Sequence, residues 1–286
     1  SVDLGRYGVL SQRGPSEAPT EHSLGHGHSC AVVQYLTTDA ICLNSSTTFE
    51  PGTLVALKLF QVDVTGSDVV ARKDADRKAH QAILRELKVL TQPTLRGHEN
   101  IYQLLFVAWI EDTPYPALAL SLAGYGSLEM VIVGPGCGLT CGQKINVTVD
   151  IALGLAGLHA CDVCHGDLKP GNVLLFPHET RQVVAKLTDF GGSVLDEDSD
   201  ASISITTPLW CAPEVLLQKT DLGWPKADVY SYGLLVASLW ARPEHFINLM
   251  PSSCVLDLIL GVKLSAEEKE DLFLLIKSQP ESSRYN

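Results

Sequence analysis

The sequence predicts an α+β fold in which a strand-rich first part gives way to a larger, mainly helical second part. Three observations predict it. Up to Leu122 the apolar runs are short, partly β-branched and bounded by Gly, Pro or polar residues, which is the mark of strands. Within that part only the stretch from Asp74 to Leu90 carries a helical period. Beyond Gly124 and Gly126 the long periodic segments are helical, except for two short runs that read as a pair of strands.

Residues 1–21 are rich in Gly, Ser, Pro and polar side chains and show no period, so they are expected to form a loose lead-in. In Leu24–Val33, Gly25 and Gly27 stand two apart between strand-like residues, a spacing that lets backbone amides approach phosphate groups. Residues 37–52 are longer than a tight turn and read as an extended hairpin end. Thr53–Phe60 is a strand with a single lysine, Lys58, in an apolar run. A lysine so placed more often lies at an edge with its ammonium in water. After a polar connection over 61–73, the helix places Ala79, Ile83, Leu87 and Leu90 on one face, with Glu86 beside that stripe. Arg85 and Lys88 flank Glu86, so an exposed surface charge is the plain alternative. Two strands, Tyr102–Ile110 and Ala117–Leu122, enclose the turn Asp112-Thr113-Pro114-Tyr115-Pro116. The connector Ala123-Gly124-Tyr125-Gly126-Ser127-Leu128 follows.

The chemistry concentrates further on. Gln143–His159 is a helix with Ile145, Val149, Ala152, Leu153, Ala156 and Leu158 as its apolar positions. It leads to His165-Gly166-Asp167-Leu168-Lys169-Pro170-Gly171-Asn172 and then to Asp189-Phe190-Gly191. The runs Val173–Phe176 and Val183–Leu187 between them read as a hairpin, which brings Asn172 and Asp189 together. That set suits phosphoryl transfer. Asp167 accepts the proton of an incoming hydroxyl, Lys169 neutralises the phosphate, and Asn172 and Asp189 hold Mg2+ against nucleotide phosphates. Singly, an Asp-x-Lys or an Asp-Phe-Gly is most often a surface turn; in this order the motifs support one another.

In order and spacing these motifs resemble the protein kinase domain, whose catalytic loop reads H-R-D-x-x-x-x-N and is followed by D-F-G. The lysine two residues after Asp167 is similar to the serine/threonine branch. The resemblance runs from about residue 24 to 240 and implies a bilobal fold: a small, mainly antiparallel β lobe with one helix (22–122), then a hinge and a larger helical lobe (123–286). It implies ATP as the nucleotide with Mg2+ (or Mn2+) as the metal. Gly25, Gly27, Val32, Ala56, Lys58, Glu86, Leu120, Ser121, Ala123 and Leu174 form the implied ATP-binding set; Lys58 takes the phosphates and Glu86 pairs with it. Asp167 and Lys169 are the implied catalytic pair, and Asn172 and Asp189 the metal ligands. Ser193–Thr207 matches the activation segment and Thr207-Pro208-Leu209-Trp210-Cys211-Ala212-Pro213-Glu214 its end, with Trp210 where the family has Tyr. Lys226–Leu235 resembles the D-V-W-S-F-G helix, so Asp228 is expected to bond the catalytic-loop backbone. Pro280–Arg284 faintly resembles the stretch carrying the arginine partner of the A-P-E glutamate, which leaves the last helix truncated or atypical.

Two departures qualify the match. Gly166 replaces the catalytic-loop arginine, which predicts that phosphorylation at Ser199, Ser202, Ser204 or Thr206 is not the main switch. Cys30 stands where the third glycine of the phosphate loop is expected. Neither removes a group that touches reacting atoms, so an active serine/threonine kinase is the first expectation and a pseudokinase scaffold the alternative.

The bulk properties set the frame. The chain has 286 residues, 45% hydrophobic and 19% charged, enough to bury a substantial core. With 21 Lys and Arg against 33 Asp and Glu the net charge is −12, which opposes non-specific nucleic-acid binding and is compatible with basic protein substrates. No apolar stretch reaches membrane-spanning length. Eight cysteines at this density suggest reduced thiols and a cytoplasmic or nuclear setting. Cys161-Asp162-Val163-Cys164-His165 fits a haem-attachment pattern, but its His already belongs to the catalytic loop, and free thiols are the better reading. The oligomeric state has no signature in the sequence.

Overall fold

The computed structural model describes residues 9–12, 23–26, 30–37, 41–44, 47–60, 69–110, 113–133, 138–195, 207–212, 215 and 223–240. Gly27, the hydroxyl-rich positions Ser199, Ser202, Ser204 and Thr206, the pair Pro213-Glu214 and the stretch 280–284 lie outside the described residues. The chain divides into two compact units, residues 1–123 and 124–286.

The first unit contains β1 (Val9–Gln12), β2 (Ser23–His26), β3 (Cys30–Leu36), β4 (Ile41–Asn44), β5 (Thr47–Phe49), β6 (Leu54–Phe60), α1 (Val69–Thr91), β7 (Leu104–Ile110) and β8 (Ala117–Ser121). Six of the strands form one sheet in the order β1-β7-β8-β6-β3-β2, and β4 and β5 form the hairpin expected before β6. All neighbours in the sheet run antiparallel except β1 and β7, which are parallel. Strand β1 falls within the lead-in, where no regular structure is expected. Val9 stands opposite Val107 and Gln12 opposite Ile110. Four residues are too few to show an alternation. Their stabilisation comes from the unpaired N–H and C=O groups along the edge of β7, which is distant in sequence.

Alternation decides the faces of β6. Val55 and Leu57 pack with Phe106, Ala108, Ala117 and Ala119 on one side of the sheet. Ala56 and Lys58 therefore point to the other. Helix α1 begins at Val69, five residues before the expected Asp74, and buries the expected stripe of Ala79, Ile83, Leu87 and Leu90.

The second unit contains α2 (Leu128–Val133), α3 (Cys141–His159), β9 (Val163–Cys164), a one-turn helix (Pro170–Asn172), β10 (Val173–His178), β11 (Gln182–Leu187), a second one-turn helix (Phe190–Gly192), β12 (Val194–Leu195), a third (Pro208–Trp210) and α4 (Trp224–Trp240). The expected hairpin of β10 and β11 forms, with Val173 opposite Leu187. Helix α3 starts at a capping box: Thr140 Oγ1 accepts from Gln143 N and Gln143 Oε1 accepts from Thr140 N.

Of the apolar positions that the period marks on α3, Leu158 is buried and the others are not. Val147, Asp150, Ile151, Gly154, Leu155 and Leu158 are buried, whereas Ile145, Val149 and Leu153 are about half exposed. A helix apolar on most of its circumference does not mark its inner face by hydropathy. Here a charged residue marks it. Asp150 is fully buried, accepting from Arg181 Nη1 at 2.8 Å and from Ala185 N at 2.9 Å, and so ties the helix to β11 and the turn before it. Asp150→Ala is expected to cost about 2 kcal/mol, since the Ala185 N–H loses its buried acceptor. Denaturant unfolding measures it, and Asp150→Asn should recover part of the loss.

Candidate active site

Within the first unit, the sheet brings most of the expected nucleotide residues onto one face. Val32 is directly opposite Lys58 across β3 and β6, and Ala56 is directly opposite Leu120 across β6 and β8. Opposed residues share a face, and so do residues two apart, so Val32, Ala56, Lys58 and Leu120 are neighbours. Gly25 pairs with Val32 from the edge strand β2. Ser121 ends β8, and its carbonyl accepts the Tyr102 hydroxyl at 2.6 Å. Ala123 is the last residue of the unit, two beyond β8.

Lys58 is not at a strand edge with its ammonium in water. Its Nζ donates to Glu86 Oε2 at 2.6 Å, and the two residues are only 5% and 1% exposed. The surface-charge alternative for Glu86 is thereby set aside. The ammonium also lies 5.5 Å from the centroid of the Phe60 ring. Burial, and to a lesser degree the Glu86 charge, raises Tyr102 well above the usual phenol range, so its hydroxyl stays a donor beside this pair.

Within the second unit, the catalytic-loop match is a closed network. Asp167 Oδ1 accepts from the Thr207 hydroxyl at 3.0 Å, and Oδ2 accepts from Asn172 Nδ2 and Lys169 Nζ, both at 3.1 Å. Lys169 Nζ also donates to Thr207 Oγ1 at 2.7 Å. Asn172 Nδ2 donates again to the Asp167 carbonyl at 2.7 Å. With its NH2 group turned into the loop, the Asn172 side chain keeps its amide oxygen for another partner. Thr188 N donates to Asn172 O at 3.1 Å, so the hairpin sets Asn172 next to the start of Asp189-Phe190-Gly191. An amide oxygen and a carboxylate so joined are hard donors of the kind Mg2+ accepts alongside phosphate oxygens.

The backbone is strained where this chemistry is expected. Asp189 has φ 64° and ψ 69°, a left-handed conformation that costs a non-glycine residue about 1–3 kcal/mol. Phe190 is fully buried with its ring 5.4 Å from that of His165. Gly166, the residue that departs from the family pattern, has φ 77°, where glycine alone is unstrained.

The loop is anchored from below by Asp228 on α4. One carboxylate oxygen accepts from His165 N at 2.8 Å and the other from Gly166 N at 3.0 Å. His159 Nε2, at the end of α3, lies 2.8 Å from Oδ2. Burial alone would raise the Asp228 carboxyl. The bond from His159, the charge of His165 and the two backbone donors outweigh burial and hold it below the usual carboxylate range. His165 Nε2 donates to Thr188 O at 3.1 Å, and Cys164 Sγ to Trp224 O at 3.1 Å. Cys164 and His165 of the haem-like pattern are thus engaged inside the fold, and Cys161 is a partly buried thiol. Leu174 is opposite Ser127, in a connector that pairs with β10 through Tyr125 N to Leu175 O and Leu175 N to Gly126 O.

Sequence reasoning misses three partners. It places Thr207 at the end of the activation segment but not against Asp167 and Lys169. His159 has no signal beyond closing a helix. Ser193, whose hydroxyl donates to His165 O at 3.1 Å, gives none.

A sheet unit carrying a buried lysine–glutamate pair and a helical unit carrying an Asp–Lys–Asn loop before Asp-Phe-Gly define a kinase-like molecule. The chain belongs to the protein kinase domain family, whose model matches residues 54–269. It is 30% identical over 235 residues to a serine/threonine-protein kinase/receptor of Acanthamoeba polyphaga mimivirus, covering 78% of this chain and 13% of that protein. It is 31% identical over 186 residues to the dual specificity protein kinase shkA of Dictyostelium discoideum, covering 62% and 33%. With the RGS domain-containing serine/threonine-protein kinase A of the same organism it shares 31% over 152 residues, covering 52% and 12%. The chain therefore spans a third or less of the length of each of these relatives. No helix among the described residues is long and apolar enough to cross a membrane.

Proposed function

We propose that this chain is an ATP-dependent serine/threonine kinase domain that transfers the γ-phosphoryl of Mg·ATP, or Mn·ATP, to a hydroxyl of a protein substrate. The observation that carries the reading is the Asp167 network. A carboxylate held by Thr207, Asn172 and Lys169 is fixed in orientation and flanked by a cation. In the reaction the substrate hydroxyl attacks the γ-phosphorus while its proton passes to Asp167. The bond to the β-phosphate oxygen breaks, and ADP leaves with that oxygen. Lys169 offsets charge on the transferring group. Lys58, paired with Glu86, holds the α- and β-phosphates, and Val32, Ala56 and Leu120, on the same sheet face, take the base. Asn172 and Asp189 hold the metal, which when bound neutralises charge building up on the phosphate oxygens.

Gly166 and Cys30 favour the second reading, a pseudokinase that binds partners or nucleotide without transfer. The two readings part in one experiment, transfer of labelled γ-phosphate from Mg·ATP to a basic protein, run beside Asp167→Asn. This change keeps the size of the side chain and removes its capacity to take the proton, so the rate is expected to fall roughly 10²–10⁴-fold. Folded wild-type protein that transfers no more than the variant would overturn the kinase reading in favour of the scaffold.

A further inference from the structure

The turn between β7 and β8 carries a tyrosine that the site described above does not use. Tyr115 lies between Pro114 and Pro116 and is only 3% exposed. Its hydroxyl donates to Asp76 Oδ1 on α1. The His80 ring, one helical turn on from Asp76, meets the Tyr115 ring edge-on with centroids 5.0 Å apart, and its Nδ1 lies 2.9 Å from the Asp76 carbonyl. Thr113 braces the turn by donating to the Tyr115 carbonyl at 3.1 Å. Burial, together with the bond to and charge of Asp76, pushes the Tyr115 hydroxyl up to about 12, so it remains a donor across the physiological range.

The placement of these residues around α1 gives the cluster its meaning. At about 100° per residue, taking buried Ile83 as zero, Asp76 and His80 stand about 20° and 60° to one side and Glu86 about 60° to the other. His80 and Glu86 therefore flank the buried apolar stripe on opposite sides, while Asp76 lies within its arc near the start of the helix, so two polar ties accompany the stripe. Glu86 is bonded to Lys58 on β6, and Asp76 with His80 is held at the β7–β8 turn. The ties are also separated by ten residues, about 15 Å along the axis. Ala79, Ile83, Leu87 and Leu90 resist separation of the helix from the sheet, but an apolar stripe alone tolerates roll, because hydrophobic contact is non-directional. Two directional bonds set apart along and around the helix do not tolerate it.

We propose that Tyr115, with Asp76 and His80, is a positioning latch that fixes the rotation of α1 and so keeps Glu86 on Lys58. Tyr115 touches neither substrate nor nucleotide; it acts through the helix. The consequence for catalysis rests on the reading of Lys58 as the phosphate-binding lysine, whereas the latch itself does not.

The test uses the whole chain and follows Lys58 directly. Labelling of its amine by an acylating reagent is resolved by mass spectrometry, with amide hydrogen exchange over residues 83–90 measured alongside. Tyr115→Phe removes one hydroxyl and keeps the ring. It is expected to speed Lys58 labelling and local exchange by roughly ten-fold, the change in an opening equilibrium produced by losing one hydrogen bond to a carboxylate. Asp76→Ala should do the same, and Asp76→Asn, which keeps an acceptor, should restore most of the protection. Asp150→Ala, a destabilising change in the other unit, controls for general loss of stability and should leave Lys58 protected. If the protein transfers phosphate, Tyr115→Phe should raise the KM for ATP more than it lowers kcat. If wild-type protein transfers none, the kinase reading fails while the labelling still decides on the latch. Labelling and exchange at the wild-type rate in folded Tyr115→Phe would overturn the proposal. Should that variant fail to fold, Asp76→Ala, altered at the exposed end of the contact, decides the matter by the same two rates.

Discussion

Lys58→Met is expected to destabilise the protein by about 3–5 kcal/mol and to weaken nucleotide binding at the same time. The two effects have different causes. Glu86 is 1% exposed, and the ammonium that Lys58 presents to it at 2.6 Å is part of what makes a buried carboxylate tolerable there. Without that ammonium a charge is left in apolar surroundings, an arrangement far costlier than the absence of both groups. The double variant Lys58→Met, Glu86→Leu should therefore regain most of the stability, because an apolar pair of similar volume is often neutral or better. It should not regain nucleotide binding, which needs the ammonium itself. Unfolding by denaturant and titration with a fluorescent ATP analogue separate the two. If the double variant bound nucleotide as wild type does, Lys58 would have no role beyond the fold.

A comparable loss is expected at Asp228→Ala, about 3–5 kcal/mol, with phosphoryl transfer falling in step. Asp228 is 1% exposed and satisfies the backbone N–H groups of His165 and Gly166, besides meeting His159. Its removal strands two donors and frees the loop that orients Asp167. Asp228→Asn keeps one acceptor oxygen and should lose about half as much. The pH dependence carries a definite sign. The folded carboxyl is held below its unfolded value, so the stability it contributes is complete above pH ~4 and disappears as pH falls through the folded value. Acid unfolding of the wild type should accordingly be steeper below pH ~4 than that of Asp228→Ala. Superimposable acid transitions would show that the carboxyl does not titrate as the geometry requires.

These predictions concern residues whose types and order are legible in the sequence. Asp167, Lys169, Asn172 and Asp189 can be read because phosphoryl transfer demands particular donors at short spacing, and a hairpin of two apolar runs suffices to bring the last two together. Lys58 and Glu86 can be paired because the resemblance to the kinase strand and helix implies it; the residues alone leave an exposed lysine and a surface glutamate as the plain alternatives. Asp228 can be given a role because a carboxylate entering an apolar helix needs partners. What the sequence hides is set by the tertiary fold. The inner face of α3 is chosen by Asp150 reaching Arg181 and Ala185, not by which flank is more apolar. Tyr115 and Asp76 meet across 39 positions, and nothing local to either announces the other. Thr207 looks like the closing letter of a segment, and its bond to Asp167 depends on how that segment returns to the loop. Short motifs reveal chemistry, and long-range partners reveal what keeps that chemistry in register.

Strand β1 has a bearing on how the chain assembles. Its partner residues, Val107 to Ile110, are made about a hundred positions after it. The parallel pairing therefore closes a long loop, and nothing rewards that closure until β7 is itself in place. The sheet is expected to be completed at that border last, when the earlier-made β1 docks on β7. Until then the border of β7 stays open to any extended segment nearby, which makes the interval before β1 docks the period of greatest risk of mispairing during synthesis.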